Sequence, residues 1–153
     1  IAEKINNEYK EKKPVFIIVL NGAFMFGSDL LKNINIDCEV TFLKVSSYEG
    51  MHSSEKIKDI FTITDDLSQR EVIIIEDIID TGLTMEHILN TLQSSQVSGV
   101  KVCTLLFKKD AFKRDYPIDY IGFSIPNEFV VGYGLDYDGY GRNLRDIYSV
   151  INE

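Results

Sequence analysis

The chain has 153 residues, 44% of them hydrophobic, and a formal net charge of −8 at pH 7. This composition excludes a disordered or fibrous chain and suits a single globular domain, which we predict to span residues 1–153. The acidic balance disfavours general attraction to nucleic-acid phosphates, and no apolar run approaches the roughly 20 residues that a membrane-spanning helix needs.

The two cysteines, Cys38 and Cys103, lie in or beside apolar runs. Such cysteines are typical of small buried side chains in a reducing compartment rather than of a disulfide or a catalytic thiol. No signal peptide is visible, so we expect a cytoplasmic protein with no membrane partner. Because the sequence begins at Ile1 rather than at Met, we also expect a short N-terminal piece to be missing.

Helical and strand patterns alternate along the chain. Ile1, Ile5 and Tyr9 recur at helical spacing, which predicts a helix within residues 1–11 that ends before Pro14. The remaining predicted elements, in chain order, are a strand at 15–20, a turn at 21–23, a helix at 24–33, strands at 40–45, 60–64 and 72–75, a helix from about residue 84, and strands at 100–107, 120–123 and 129–131.

Apolar strands that alternate with helices indicate a parallel sheet covered on both faces. We therefore predict a doubly wound α/β domain with a mostly parallel sheet flanked by helices. Ligands of such sheets bind outside the carboxyl ends of the strands. Polar residues follow the apolar strands at four places, namely residues 21–22, 76–77, 108–109 and the late loop 136–142. Their convergence predicts one cleft.

The turn at residues 81–84 follows an apolar strand and opens a helix. Free backbone N–H groups and the helix dipole favour an anion at such a place, and Gly82 lets the backbone approach the anion closely. The segment is neither a Walker loop nor a dinucleotide fingerprint. Taken alone, the turn is better explained by ordinary helix capping by Thr or Asp.

Three carboxylates, Glu76, Asp77 and Asp80, precede this turn. They suit ribose hydroxyls and a divalent cation, and they would repel a phosphate unless such groups intervened. A solvated acidic strand end is the simpler alternative. An unrelated metal-dependent receiver or hydrolase domain is another class that clustered acids permit.

Residues 72–85 resemble the phosphoribosyl-pyrophosphate motif of the type I phosphoribosyltransferase family, and in particular of its hypoxanthine-guanine branch. Further similar segments follow in the order of the family, at residues 19–22, 45–48, 105–108, 125–137 and 142–144. The similarity spans about residues 15–150. It implies the type I phosphoribosyltransferase fold, with a small hood formed by terminal segments.

The resemblance implies a purine-salvage transferase with Mg²⁺ as cofactor. Its substrates would be phosphoribosyl pyrophosphate (PRPP) and a 6-oxopurine, hypoxanthine or guanine, and N9 of the base would receive the 5-phosphoribosyl group. The products would be IMP or GMP and pyrophosphate. The family usually forms dimers or tetramers, so we expect a homodimer or homotetramer. An RNA-binding regulator on the same fold is the alternative, although we expect no nucleic-acid partner for so acidic a chain.

The resemblance also implies roles at the ribose and phosphates of PRPP. Asp80 would be the catalytic base that manages the proton on purine N7. Glu76 and Asp77 would hold the ribose hydroxyls and one Mg²⁺. The residues implied to bind the 5′-phosphate are Thr81, Gly82, Leu83 and Thr84. Those implied to meet the pyrophosphate are Arg142 and the backbone of Asn21 and Gly22, whose peptide the family often holds cis.

On the purine side, Lys108 would donate to the 6-oxo group, Phe129 would stack on the base and Val130 would offer main-chain groups. Asp136 would border this side and hold a second Mg²⁺. Without the resemblance, Lys108 is a surface lysine and Phe129 a core residue. Ser47 and Tyr48 would begin a lid over the reacting centre within the polar segment 46–58.

Three positions depart from the pattern of the family. Asn21 stands where many relatives carry Lys, and Leu83 replaces a Lys or polar residue found in some members. Phe112 occupies a stretch where some members carry Arg. Each departure removes charge from the surroundings of the phosphates or the base, so we expect affinity and purine preference to be the properties that these positions alter.

Overall fold

The computed structural model describes residues 1–45 and 66–150. Its helices and strands, in chain order, are α1 (Ala2–Glu8), β1 (Val15–Leu20), α2 (Phe24–Leu31), β2 (Glu39–Lys44), β3 (Glu71–Ile79), α3 (Leu83–Gln93), β4 (Gly99–Phe107), β5 (Tyr120–Ser124), β6 (Val130–Val131) and β7 (Tyr148–Ser149). The strand predicted at residues 60–64 lies outside the described residues. In the part of the chain that is described, no helix is both long enough and apolar enough to cross a membrane.

Five strands form one parallel sheet in the order β2-β1-β3-β4-β5. The core on one face includes Ile5 of α1 and Phe26 of α2, and the core on the other face includes Met85 and Ile88 of α3. The predicted doubly wound α/β fold is therefore confirmed. The chain turns to opposite sides of β1 in forming β2 and β3, so the carboxyl ends of β1 and β3 border the switch-point crevice in which such folds bind ligands.

The third strand is longer than its apolar run predicts. Ile78 pairs with Leu106 and Ile79 with Phe107, so β3 continues past the carboxylates to Ile79. The prediction that this strand ends at residue 75, with Glu76 and Asp77 following it, is wrong, because β4 extends far enough to supply ladder partners beyond them. Helices α1 and α2 are shorter than predicted, and end at Glu8 and Leu31.

The two edge strands are more exposed than predicted. In β2, Val40 and Phe42 are exposed, and in β5 the four residues after Tyr120 are exposed. An apolar run on its own does not distinguish an edge strand from a central one, which explains the error.

Of the terminal segments expected to form a hood, the C-terminal one forms a separate antiparallel pair. Val130 of β6 pairs with Ser149, and Val131 pairs with Tyr148 of β7, a strand that the sequence pattern missed. The N-terminal segment does not share this sheet, since Ile5 and Tyr9 are buried in the main core.

Near the amino ends of β4 and β5, a polar network attaches α1 to the sheet. Lys101 and Tyr120 both donate to the carboxylate of Glu8. Asp119 accepts the backbone N–H of Val102 at 2.8 Å. The hydrogen bonds from Lys101 and Tyr120 lower the pKa of Glu8. This network lies at the opposite end of the strands from the switch-point crevice.

Candidate active site

The turn between β3 and α3 presents backbone rather than side chains to the crevice. Gly82 caps α3 with φ +84°, and no side-chain hydrogen bond caps the helix in the described part of the chain. The alternative explanation of this turn, capping of the helix by a Thr or Asp side chain, is therefore wrong. The first N–H groups of a helix lack intrahelical acceptors, and the dipole makes them attractive to an anion. The predicted phosphate residues Thr81, Gly82, Leu83 and Thr84 all line one cavity of about 250 Å³.

Glu76 and Asp77 line the same cavity and are almost fully buried, at 8% and 9% exposure. The solvated-acid explanation is therefore wrong. Neighbouring strand residues point to opposite faces, yet both residues line this cavity. Asp77 Oδ1 accepts the N–H of Ile78 at 2.9 Å, whereas Glu76 Oε2 has no hydrogen-bond partner among the described residues. Burial, and then the charge of Asp77, raise the pKa of Glu76 well above its usual range.

A second cavity, of about 260 Å³, adjoins the first, because Asp77 and Asp80 line both. Its remaining lining includes the predicted purine-side residues Lys108, Phe129, Val130 and Asp136. Lys108 is buried, and its Nζ lies 2.9 Å from Asp80 Oδ2, so it is not a surface lysine. Phe129 is 50% exposed and packs edge-on against Tyr137, so it is not a core residue either.

The turn after β1 lies between the carboxylates and the late loop. The cis peptide of this turn is Leu20–Asn21, one residue before the Asn21–Gly22 peptide that the resemblance implied. A Cβ at Gly22 would lie 1.7 Å from Asp77 Oδ2, and a Cβ at Gly134 would lie 2.0 Å from the Gly22 carbonyl oxygen. The Asp77 carboxylate therefore leaves no room for a side chain at residue 22, and the Gly22 carbonyl leaves none at residue 134.

Arg142 is held inside the late loop. Its Nη2 lies 2.5 Å from Asp136 Oδ1, and its Nη1 donates to the Gly134 carbonyl oxygen at 2.8 Å. Arg142 therefore lies behind Asp136, and Asp136 is the member of this pair that lines the second cavity. The predicted lid residues Ser47 and Tyr48 lie outside the described residues.

Comparison with known proteins identifies the family of this chain. The family model for the phosphoribosyl transferase domain matches residues 1–138. The chain is 40% identical to the hypoxanthine-guanine phosphoribosyltransferase of Aquifex aeolicus over 152 residues, which cover 98% of this chain and 85% of that protein. The chain belongs to the phosphoribosyltransferase family.

Solved structures of this family share the fold. A hypoxanthine-guanine phosphoribosyltransferase from Bacillus anthracis superposes with a TM-score of 0.91 at 37% identity, covering 98% of this chain and 89% of that one. A hypoxanthine phosphoribosyltransferase from Trypanosoma cruzi, solved in complex with its product IMP, superposes with a TM-score of 0.89 at 34% identity, covering 98% and 81%. The type I phosphoribosyltransferase fold is thus shown for this chain.

Within residues 1–45 and 66–150, no group of three or more His, Cys, Asp or Glu side chains is arranged to hold a metal ion. Glu76 and Asp77 instead form a pair, and one of their oxygens lacks a hydrogen-bond partner within these residues. Mg²⁺ in phosphate-binding enzymes usually takes one or two carboxylates and completes its shell with phosphate oxygens and water. The donor set of this phosphoribosyltransferase therefore fits a magnesium ion that arrives with its substrate.

The position of Glu76 predicts a stability effect. We expect Glu76→Gln to raise the free energy of unfolding at pH 7.5 by on the order of 1 kcal/mol, because the amide keeps the shape and removes a desolvated charge beside Asp77. A raised folded-state pKa costs stability only above the unfolded-state pKa, so the gain should vanish near pH 4. Urea unfolding at both pH values measures this.

Glu71→Gln is the matched control on the same strand. Glu71 Oε1 accepts from Lys12 Nζ at 2.8 Å, so its amide variant should not be stabilising at pH 7.5. An equal gain from both variants, or a gain at Glu76 that persists at pH 4, would show that burial of the Glu76 charge is not the cause.

The sequence did not reveal that residues 112–116 lie behind the turn at residues 81–84. A Cβ at Gly82 would lie 2.6 Å from Phe112 Cε2 and 2.7 Å from the Tyr116 hydroxyl oxygen. Phe112, noted only as a departure from the family, packs edge-on against Phe107 and Tyr116. No spacing rule connects residue 116 with residue 82, so only the fold reveals this contact.

Proposed function

We propose that this protein transfers the 5-phosphoribosyl group of PRPP to N9 of hypoxanthine or guanine, forming IMP or GMP and pyrophosphate. The observation that carries the proposal is the pair of adjoining cavities that share Asp77 and Asp80. One is lined by acids and by the first backbone amides of α3, which suit ribose 5-phosphate, and the other by Lys108 and an exposed aromatic ring, which suit an oxopurine. The names of the Aquifex and Trypanosoma relatives support the same substrates.

In the first cavity, which is lined by residues 76–85, each group of PRPP would meet a suitable partner. The amides of residues 81–84 bind the 5′-phosphate, and the Glu76 and Asp77 carboxylates accept from the ribose hydroxyls. The backbone of Asn21 and Gly22 donates to the pyrophosphate, which Arg142 would meet from its place behind Asp136. The backbone of Gly134 lies close against this turn.

Mg²⁺ would be held by Glu76 and Asp77, and a second ion by Asp136. When bound, the metal neutralises charge on the departing pyrophosphate. The unpartnered oxygen of Glu76 supports this assignment, since a cation supplies what the buried carboxylate lacks.

In the purine cavity, Phe129 stacks on the base and Val130 offers main-chain groups. Lys108 donates to the 6-oxo oxygen, and Asp80 takes up the N7 proton as N9 attacks C1′. The 2.9 Å contact between Lys108 Nζ and Asp80 Oδ2 supports these paired roles, because it holds the two groups at one end of the cavity. We further propose that the enzyme works in the cytoplasm as a homodimer or homotetramer.

We expect Lys108→Ala to lower kcat/KM for hypoxanthine by about 100-fold, which is the usual value of a charge-assisted hydrogen bond in a buried site. Adenine carries an amino group at the same position, so its already low kcat/KM should not fall in parallel. Steady-state rates with hypoxanthine, guanine and adenine measure the effect. Lys109→Ala, at the exposed neighbour, is the control, and an equal loss for all bases would contradict base recognition by Lys108.

An ultraviolet assay with PRPP and Mg²⁺ tests the proposal directly, with hypoxanthine, guanine, xanthine and adenine in parallel. Turnover of oxopurines without turnover of adenine supports it and ranks the bases. A folded protein that binds PRPP but converts no base would contradict the proposal, and filter binding with RNA would then test the regulator.

A further inference from the structure

Two carbonyl groups of the turn between β3 and α3 have partners on the segment 108–116. The Tyr116 hydroxyl donates to the Gly82 carbonyl oxygen at 2.9 Å. The Lys113 N–H donates to the Thr81 carbonyl oxygen at 3.4 Å. The Gly82 oxygen also accepts the N–H of Glu86 at 3.0 Å, as the first helical bond of α3. Consecutive carbonyls of the turn are thus held from outside the crevice.

Each of these carbonyls shares a rigid plane with the N–H of the next residue. In a trans peptide the C=O and the N–H point in opposite directions. A partner on the Thr81 carbonyl therefore orients the N–H of Gly82, and a partner on the Gly82 carbonyl orients the N–H of Leu83. Both residues line the cavity assigned to ribose 5-phosphate. The segment behind the turn thus controls which way its amides face.

Tyr116 is itself well fixed. Its ring packs edge-on against Phe112 with centroids 5.2 Å apart, and Phe112 packs edge-on against Phe107 at 5.3 Å. Burial raises the pKa of the hydroxyl, so Tyr116 stays protonated and remains a donor at neutral pH. A rigid ring with a permanent donor suits the task of holding one carbonyl.

We propose that Tyr116 is a positioning residue for the 5′-phosphate of PRPP, acting through the Gly82–Leu83 peptide. The inference rests on the proposed function. Its hydroxyl orients the Leu83 N–H toward the cavity before the ligand arrives, so binding does not have to order this peptide. Without the hydroxyl, the Glu86 N–H is the only partner that the described residues leave to the Gly82 carbonyl, and the phosphate must supply the lost constraint.

The test compares two probes that occupy different halves of the site. We expect Tyr116→Phe to weaken ribose 5-phosphate about three- to tenfold, the usual effect of one lost neutral hydrogen bond. Binding of inorganic pyrophosphate with Mg²⁺ should stay unchanged, because that probe does not use the Leu83 amide. The KM for PRPP should rise by the same factor, while kcat stays within about twofold. Isothermal titration calorimetry and steady-state kinetics give these values.

Two variants control for ordinary loss of packing or stability. Tyr120→Phe also removes a hydrogen-bonded hydroxyl, but at the amino ends of the strands, so it should lower the Tm and leave both affinities unchanged. Phe112→Leu disturbs the neighbouring ring and keeps the Tyr116 hydroxyl, so its loss of ribose 5-phosphate affinity should be the smaller one.

The outcomes separate this inference from the proposed function. A wild-type protein that converts no oxopurine overturns the proposed function. With an active wild type, unchanged ribose 5-phosphate affinity in Tyr116→Phe overturns only the role of Tyr116. An equal loss for both probes overturns that role as well, because Tyr116 would then support the whole site rather than its phosphate end.

Discussion

Asp80→Asn is expected to lower kcat by about 10²- to 10³-fold, within the range that one general acid–base group contributes. The amide keeps the size of the side chain and can still accept from Lys108 Nζ, but it cannot take up the N7 proton. Because Asp80 follows β3 and lies outside the core, the Tm and the affinity for PRPP should stay near their wild-type values. Single-turnover rates and calorimetry with PRPP measure the two effects separately.

Asp110→Asn is the matched control, since Asp110 is an exposed acid two residues after Lys108. It should leave kcat unchanged. Wild-type turnover in Asp80→Asn would contradict its role as the base, and a loss confined to PRPP affinity would place Asp80 with the ribose ligands instead.

Gly22→Ala should weaken PRPP binding by about 10- to 100-fold, a loss typical of overpacking in a tightly packed site. The new methyl group would lie 1.7 Å from Asp77 Oδ2, so the carboxylate has to leave its position and give up the N–H of Ile78. The fold itself should survive, because the atom displaced is the end of a side chain. Calorimetry with PRPP and Mg²⁺ gives the affinity.

A double-mutant cycle tests the cause of that loss. In an Asp77→Ala background there is no carboxylate to displace, so Gly22→Ala should add little further loss. Additive losses would show that the methyl group acts elsewhere, for example on the cis peptide or on the pyrophosphate itself.

The parts of the fold that sequence predicts well are those decided by local patterns. The apolar run of β1 and the helix predicted from about residue 84 are found where expected. The end of β3 is not predictable in this way, because it depends on the length of β4 beside it. The exposure of Phe42 and Phe123 depends on which strands lie at the edges, and this order is a property of the whole sheet.

The same distinction between local patterns and long-range contacts applies to the candidate site. Residues 76–84 form one contiguous segment, so their chemistry can be read from the sequence and matched to a family. Their burial cannot, and neither can the 2.9 Å contact between Lys108 and Asp80, which joins residues 28 positions apart. Tyr116 was missed altogether, because a hydroxyl that acts on a backbone carbonyl leaves no sequence pattern.

The network of Glu8, Lys101 and Tyr120 has a consequence for engineering this scaffold. It attaches α1 at the amino ends of the strands, whereas the described residues assigned to substrate lie toward the carboxyl ends of β1, β3 and β4 or in the segment 129–142. The contacts that attach α1 are therefore separated along the sheet from the residues assigned to turnover. A designer can vary the first end to change heat resistance and the second to change purine preference, with little interference between the two sets of substitutions.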